Sequence, residues 1–178
     1  MQVVTVTDGP QSCNVAGTFD LREDPGAIER IEAARQHAAL RGFLLNLNAE
    51  ESPFSTFGCK VWNDSPDSGV ERSIFASRVD LLLSQDSDGM DQEQYEEFAR
   101  RLATLLDREP GDSLRAELHV APAQLSPGRQ GFCLRLFLYA RGARLDQAQV
   151  RWSLGIARVQ QALLFVARAI RHQSGTGE

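Results

Sequence analysis

The chain has 178 residues, of which 42% are hydrophobic and 24% charged, and a net charge of −5. A chain of this size and composition fits one globular domain with a core that needs neither disulfide nor metal. No apolar run approaches the roughly eighteen residues of a membrane-spanning helix, no basic-then-apolar leader opens the chain, and the acidic balance argues against a nucleic-acid partner.

The three cysteines, Cys13, Cys59 and Cys133, are odd in number and far apart, which predicts reduced thiols in a cytoplasmic protein. Eighteen of the nineteen basic residues are Arg, with Lys60 the exception. That bias fits a GC-rich bacterial coding sequence, and it also supplies planar guanidinium forks suited to carboxylates.

In chain order, Gln2–Thr7 alternates Val with Thr and reads as a short strand, followed by the turn signal Asp8-Gly9-Pro10. A second extended piece is expected from Asn14 to Phe19. Asp24-Pro25 resembles a helix N-cap with proline at the first helical position. It opens a helix expected to run to about Arg41, with Ile28, Ile31, Ala34 and Ala38 along one side and Gly42 as its cap. Phe43–Asn48 alternates and reads as a strand. Phe57, Cys59 and Val61 alternate with Gly58, Lys60 and Trp62 in a second strand, and Ser73–Ser84 forms a third, with Phe75, Ser77, Val79, Leu81 and Leu83 on one face and Arg78 and Asp80 on the other.

Asp91 with Gln94 is a capping-box pair. The helix behind it carries Tyr95, Phe98, Leu102 and Leu105 at helical spacing, opposite an acidic face of Glu93, Glu96 and Glu97. Two strands follow. Leu114, Ala116, Leu118 and Val120 alternate with Arg115, Glu117 and His119. After a loop expected over Pro122–Gly128, Phe132, Leu134, Leu136 and Leu138 alternate with Cys133, Arg135, Phe137 and Tyr139.

From Leu145 to Gln173 the chain has no proline and one glycine, Gly155. Trp152, Ile156, Val159, Leu163, Val166 and Ile170 form an unbroken seam at spacings of four and three. Val150, Leu154, Ala157, Leu164 and Phe165 lie off that seam, so the helix is apolar on two sides and is expected to be buried twice. Full burial of the six seam side chains contributes roughly 9–18 kcal/mol before entropy, at about 1.5–3 kcal/mol each, so the seam is not left in water. It meets either the chain's own sheet or a second copy of itself. In the second case those six residues are a homodimer interface.

The expected fold is α+β: an antiparallel sheet of five or more strands packed on helices, with a long apolar C-terminal helix. Residues 1–173 form one domain, 1–23 being an N-terminal strand segment, and 174–178 form a disordered tail. Over Asp24–Gln173 the order of helix, three strands, helix, two strands, helix, together with the acidity, is similar to that of bacterial type III secretion chaperones. The resemblance implies a small cytoplasmic dimer that binds extended protein segments.

No catalytic, cofactor or metal motif emerges. Ser84–Gly89 matches part of a calcium loop but lacks the first Asp and the final bidentate Glu, and reads as an acidic turn at a helix N-terminus. His37, His119 and His172 share no ligand spacing. Cys59 and Cys133 fall in strands, and Cys13 in a polar loop has no evident base. The candidate partner-binding residues are Arg115, Arg135, Phe137 and Tyr139, because aromatic residues interleaved with Arg are enriched where proteins meet. The sequence therefore points to a non-enzymatic, chaperone- or adaptor-like homodimer. Its alternatives are a small enzyme using Glu117 and His119, and an immunity-type inhibitor steering through the acidic helix face.

Overall fold

A computed structural model describes residues 1–6, 13–14, 20–64, 72–83, 91–107 and 113–174, without the side chains of 6, 13, 14 and 170–174. The Ser84–Gly89 turn, most of the second extended piece and residues 175–178 of the expected tail lie outside the described residues.

The architecture is α+β. Strands β1 (Gln2–Val6) and β2 (Cys13–Asn14) precede a 3-10 helix (Pro25–Arg30), α1 (Glu32–Gln36) and α2 (Ala38–Leu47). The hairpin β3 (Phe54–Asp64) and β4 (Ser73–Leu83) follows, then α3 (Gln92–Leu106), the hairpin β5 (Leu114–Ser126) and β6 (Arg129–Gly142), and α4 (Leu145–Ser174). The sheet order is β1-β5-β6-β4-β3, with β2 also alongside β5.

This sheet is mixed, which corrects the antiparallel expectation. β3, β4, β6 and β5 pair antiparallel, but β1 and β2 both run parallel to β5. Antiparallel neighbours need only a tight turn, whereas parallel ones need a long connection. Most of the chain intervenes between β1 and β5, so nothing restricts that edge to antiparallel pairing.

A second correction concerns the first helical region. The expected single helix is three short pieces, broken where Ile31 and His37 adopt extended backbone at φ −91° and −131°. Asp24 gives no side-chain cap hydrogen bond; its carboxylate pairs with Arg30 at 2.7 Å instead. Phe43–Leu47 is helix, not strand. Leu40, Phe43, Leu44 and Leu47 repeat at helical spacing and are all buried, so tertiary packing selects that period over the alternation of Phe43, Leu45 and Leu47. Gly42 accordingly sits inside α2 rather than at its end.

The capping box of α3 forms as expected. Asp91 Oδ1 accepts from the backbone N–H of Gln94 at 2.8 Å, and Gln94 Oε1 accepts from the N–H of Asp91 at 3.0 Å. β5 continues through the expected Pro122–Gly128 loop to a two-residue turn at Pro127-Gly128, where proline presets φ and Gly128 takes φ +79°.

All the helices pack on one face of the sheet. One apolar cluster joins Phe75, Val79 and Leu81 of β4, Leu134, Leu136 and Leu138 of β6, and Ala116, Leu118 and Val120 of β5 to the buried sides of α2, α3 and α4. A bulge between Thr56 and Gly58 switches the facing of β3, so Phe54 and Cys59 both join this cluster while Phe57 turns to the far face.

Within the chain the long C-terminal helix buries one of its two apolar sides and leaves the other exposed. Trp152, Ile156, Val159, Leu163 and Val166 are buried in the chain's own core, at 0–4% exposure. These seam residues are therefore not available to a second copy, which corrects their reading as a homodimer interface; the Ile170 side chain lies outside the described residues. Of the off-seam set, Val150, Leu154 and Phe165 face outward with more than 60% of their surface exposed. Gly155 lies on the sheet side, where an added Cβ would meet Leu114 and Leu138 side chains at 3.1 Å. One face of α4 is thus pressed to β5 and β6 while the opposite stripe faces solvent.

Candidate interaction surface

The sheet face opposite the helices is assembled row by row by strand pairing. One row runs Trp62, Ala76, Tyr139, Arg115, Gln2. The next runs Lys60, Arg78, Phe137, Glu117, Val4, and a third runs Gly58, Asp80, Arg135, His119, Val6. Alternation along each strand places the described side chains of these rows on one side. No described helix packs against them.

Aromatic rings form the centre of this surface. The rings of Phe137 and Tyr139, two residues apart on β6, stack with centroids 6.3 Å apart at 8°. Trp62 from the edge strand β3 meets both edge-on, at 6.4 and 6.0 Å. The imidazole of His119 lies 5.0 Å from Phe137. Such offset and edge-to-face pairs are favourable beyond their buried area. All four rings remain partly open to solvent.

Charged groups interleave with the rings. Asp80, buried at 4% exposure, accepts from Arg135 Nε at 3.0 Å and lies 3.4 Å from Arg78 Nη2. Burial pushes its carboxyl up, and the two guanidiniums oppose that by favouring the carboxylate. Glu117 bridges Arg115 at 2.8 Å and His119 at 3.3 Å. The Nε atoms of Arg78 and Arg115 are buried without an acceptor among the described residues. Burial, and then the negative charge of Glu117, raise the Tyr139 phenol above its usual range.

At one end of the face, Ser113, Arg115, Glu117, Tyr139 and Arg141 line an open cavity of about 270 Å³. Arg141 is fixed through its backbone, its N–H donating to Ser113 O at 2.8 Å and its carbonyl accepting from Arg151 Nη1 at 2.6 Å. Its guanidinium has no ion-pair partner among the described residues.

The face brings together Arg115, Arg135, Phe137 and Tyr139, the four residues expected from sequence, with Glu117 and His119 beside them. Reading the sequence alone missed Trp62, Arg78 and Asp80 as parts of the same surface. The residues of β3 and β4 could have been found had the register of that hairpin been known, but the polar stretch between the strands does not specify it.

The other candidates separate from this face. Burial pushes the Cys59 thiol up to about 11, with Asp80 adding to the effect, so it is not an activated nucleophile. Cys133 is fully buried. Among the described residues no group of three or more His, Cys, Asp or Glu side chains could hold a metal, and no helix is long and apolar enough to cross a membrane. On α3, Glu97 is already held by Arg101 at 2.7 Å and paired with Arg100. No protein-family model, curated protein or solved structure matches this chain.

Proposed function

We propose that this chain is a non-enzymatic protein-binding module, adaptor- or chaperone-like, that works as a homodimer and docks an extended partner segment on the outer sheet face. The observation that carries the reading is the Trp62–Phe137–Tyr139 cluster, set among arginines on a face that no described helix covers. Rigid aromatic groups and Arg forks are the residue types that anchor protein contacts. The Glu117–His119 pair belongs to this surface: its carboxylate is engaged by Arg115 and its imidazole rests on Phe137, so both serve the platform rather than an acid–base reaction.

The homodimer rests on α4. With the seam buried in its own core, the exposed stripe of Val150, Leu154 and Phe165 is the surface a second copy would cover. Antiparallel pairing of two such helices about the point between Ala157 and Arg158 would set Val150 against the partner's Phe165, a self-complementary arrangement of the kind a two-fold contact requires. The similarity to type III secretion chaperones loses one element, because the first of the three expected strands is α2. The acidity and the exposed sheet face still support the chaperone-like role. The arginine bias and the free thiol of Cys59 support a bacterial, cytoplasmic setting.

Two experiments test the reading. Sedimentation at micromolar concentration is expected to give a dimer for the wild type and a monomer for Leu154→Glu with Phe165→Glu; a wild-type monomer overturns the dimer. Capture from the native host is expected to retain a protein on the wild type that Trp62→Ser with Phe137→Ser loses while still folded. Equal retention by both forms overturns the binding face.

A further inference from the structure

The chain carries a net charge of −5, yet the outer sheet face holds Lys60, Arg78, Arg115, Arg135 and Arg141 against Asp64, Asp80 and Glu117. Cations outnumber carboxylates there, whereas the whole molecule is acidic. The imbalance is local in origin. Asp80 faces both Arg78 and Arg135, Glu117 answers Arg115, and Arg141 is answered by no described residue. Arg141 is also the guanidinium that lines the open cavity beside Arg115 and Tyr139.

We infer that this cavity is a carboxylate subsite, and that the partner segment docked on the face is acidic, placing an Asp or Glu side chain between Arg141, Arg115 and the Tyr139 hydroxyl. The inference rests on the protein-binding reading and names the chemistry of the partner. A carboxylate presents two acceptor oxygens to the donors of a guanidinium fork, the geometry in which such charge-assisted bonds are strongest. Fixing the Arg141 backbone through Ser113 and Arg151 limits the ordering that binding requires. Glu117 on the cavity wall is the specificity element. It tolerates a single negative charge shared by two arginines but opposes a dianionic phosphate. The acidic remainder of the molecule likewise opposes a nucleic-acid backbone, which would bring many charges past Asp64, Asp80 and Glu117. The apolar part of the same segment would lie on Phe137 and Trp62.

The test uses two labelled synthetic peptides, one alternating Asp with Phe and one alternating Asn with Phe, titrated against the full chain. The Asp peptide is expected to bind about tenfold more tightly or better, the difference that a hydrogen bond to a charged group supports. Arg141→Gln, a change at an exposed side chain, is expected to abolish that difference and leave the Asn peptide unchanged. Equal binding of the two peptides, or an Arg141→Gln variant that keeps the preference, overturns the subsite. Trp62→Ser separates this from the parent reading, because it should weaken both peptides alike. If it does so while Arg141→Gln has no effect, the binding face stands and the carboxylate subsite falls. Displacement of the peptides by an oligouridylate at lower concentration overturns both. Failure of both peptides to bind at millimolar concentration overturns the subsite and leaves the face to be judged by the capture comparison.

Discussion

The indole Nε1 of Trp152 donates to Ser77 Oγ at 2.9 Å, with both residues nearly excluded from solvent. The bond joins the N-terminal third of α4 to the centre of β4 and explains the Ser77 hydroxyl between Phe75 and Val79 on the core face of the strand. Both partners are buried, so removing one leaves the other without a substitute. Ser77→Ala is expected to cost about 1–3 kcal/mol in urea denaturation, the penalty of an orphaned indole N–H. Trp152→Phe is expected to cost more, since it also leaves a void. In the double mutant the two losses should sum to more than the measured effect, because the bond is counted once. Strict additivity would mean that the bond contributes nothing.

Where sequence pattern and tertiary environment agreed, the elements were legible: α3 with its capping box, β4 with its two faces, and both strands of the second hairpin. Where two periods were available, the choice lay outside the sequence. Phe43–Leu47 alternates like a strand and also repeats like a helix, and only the position of the surrounding core decides between them. The seam of α4 was legible as something buried. What it buries against was not, because the same spacing serves a sheet and a second helix equally well. The candidate surface was half legible: β5 and β6 face a common side through a short turn, whereas the bulge in β3 and the undefined β3–β4 register hid Trp62 and Arg78.

Two glycines in helices should respond in opposite directions. A Cβ at Gly42 would meet nothing within 4 Å, so Gly42→Ala is expected to stabilise α2 by about 0.5–1 kcal/mol through helix propensity alone. Gly155 has Leu114 and Leu138 side chains 3.1 Å from where a Cβ would stand. Gly155→Leu is expected to cost roughly 1–3 kcal/mol or more, because the larger side chain pushes α4 off the sheet. Thermal unfolding of the two variants checks both signs.

Asn48 fastens the end of α2 to the start of β3. Its Nδ2 donates to Leu44 O at 2.7 Å and to Thr56 Oγ1 at 2.6 Å, and its Oδ1 accepts from the Thr56 backbone N–H at 2.9 Å. Asn48 and Thr56 are both buried, so water cannot replace these bonds. Asn48→Leu, close in volume, is expected to cost about 1–3 kcal/mol per orphaned group. Asn48→Asp keeps the acceptor for Thr56 N–H, but its neutral carboxyl has one O–H donor for the two acceptors Leu44 O and Thr56 Oγ1, and its ionised form has none. It is expected to fall between wild type and Leu at low pH, where the new carboxyl is neutral, and to drop below that level once it ionises. Denaturation at two pH values distinguishes the substitutions.

His37 makes stability depend on pH on the acid side. It sits in the break between α1 and α2, 5.2 Å from the Phe75 ring and 5.7 Å from Trp152, and its Nδ1 is buried without a partner among the described residues. Burial lowers its pKa below the usual histidine value. The folded state therefore favours neutral imidazole, while the unfolded chain takes up a proton near pH 6.5. Unfolding binds a proton wherever the pH lies between the lowered folded value and about 6.5, so stability rises with pH through that window. The contribution is fully present above about pH 6.5 and is lost as the pH falls toward the folded value. His37→Leu should flatten this limb of the stability curve while keeping the contacts with Phe75 and Trp152. A variant that retains the wild-type slope just below about pH 6.5 would assign the dependence to other groups.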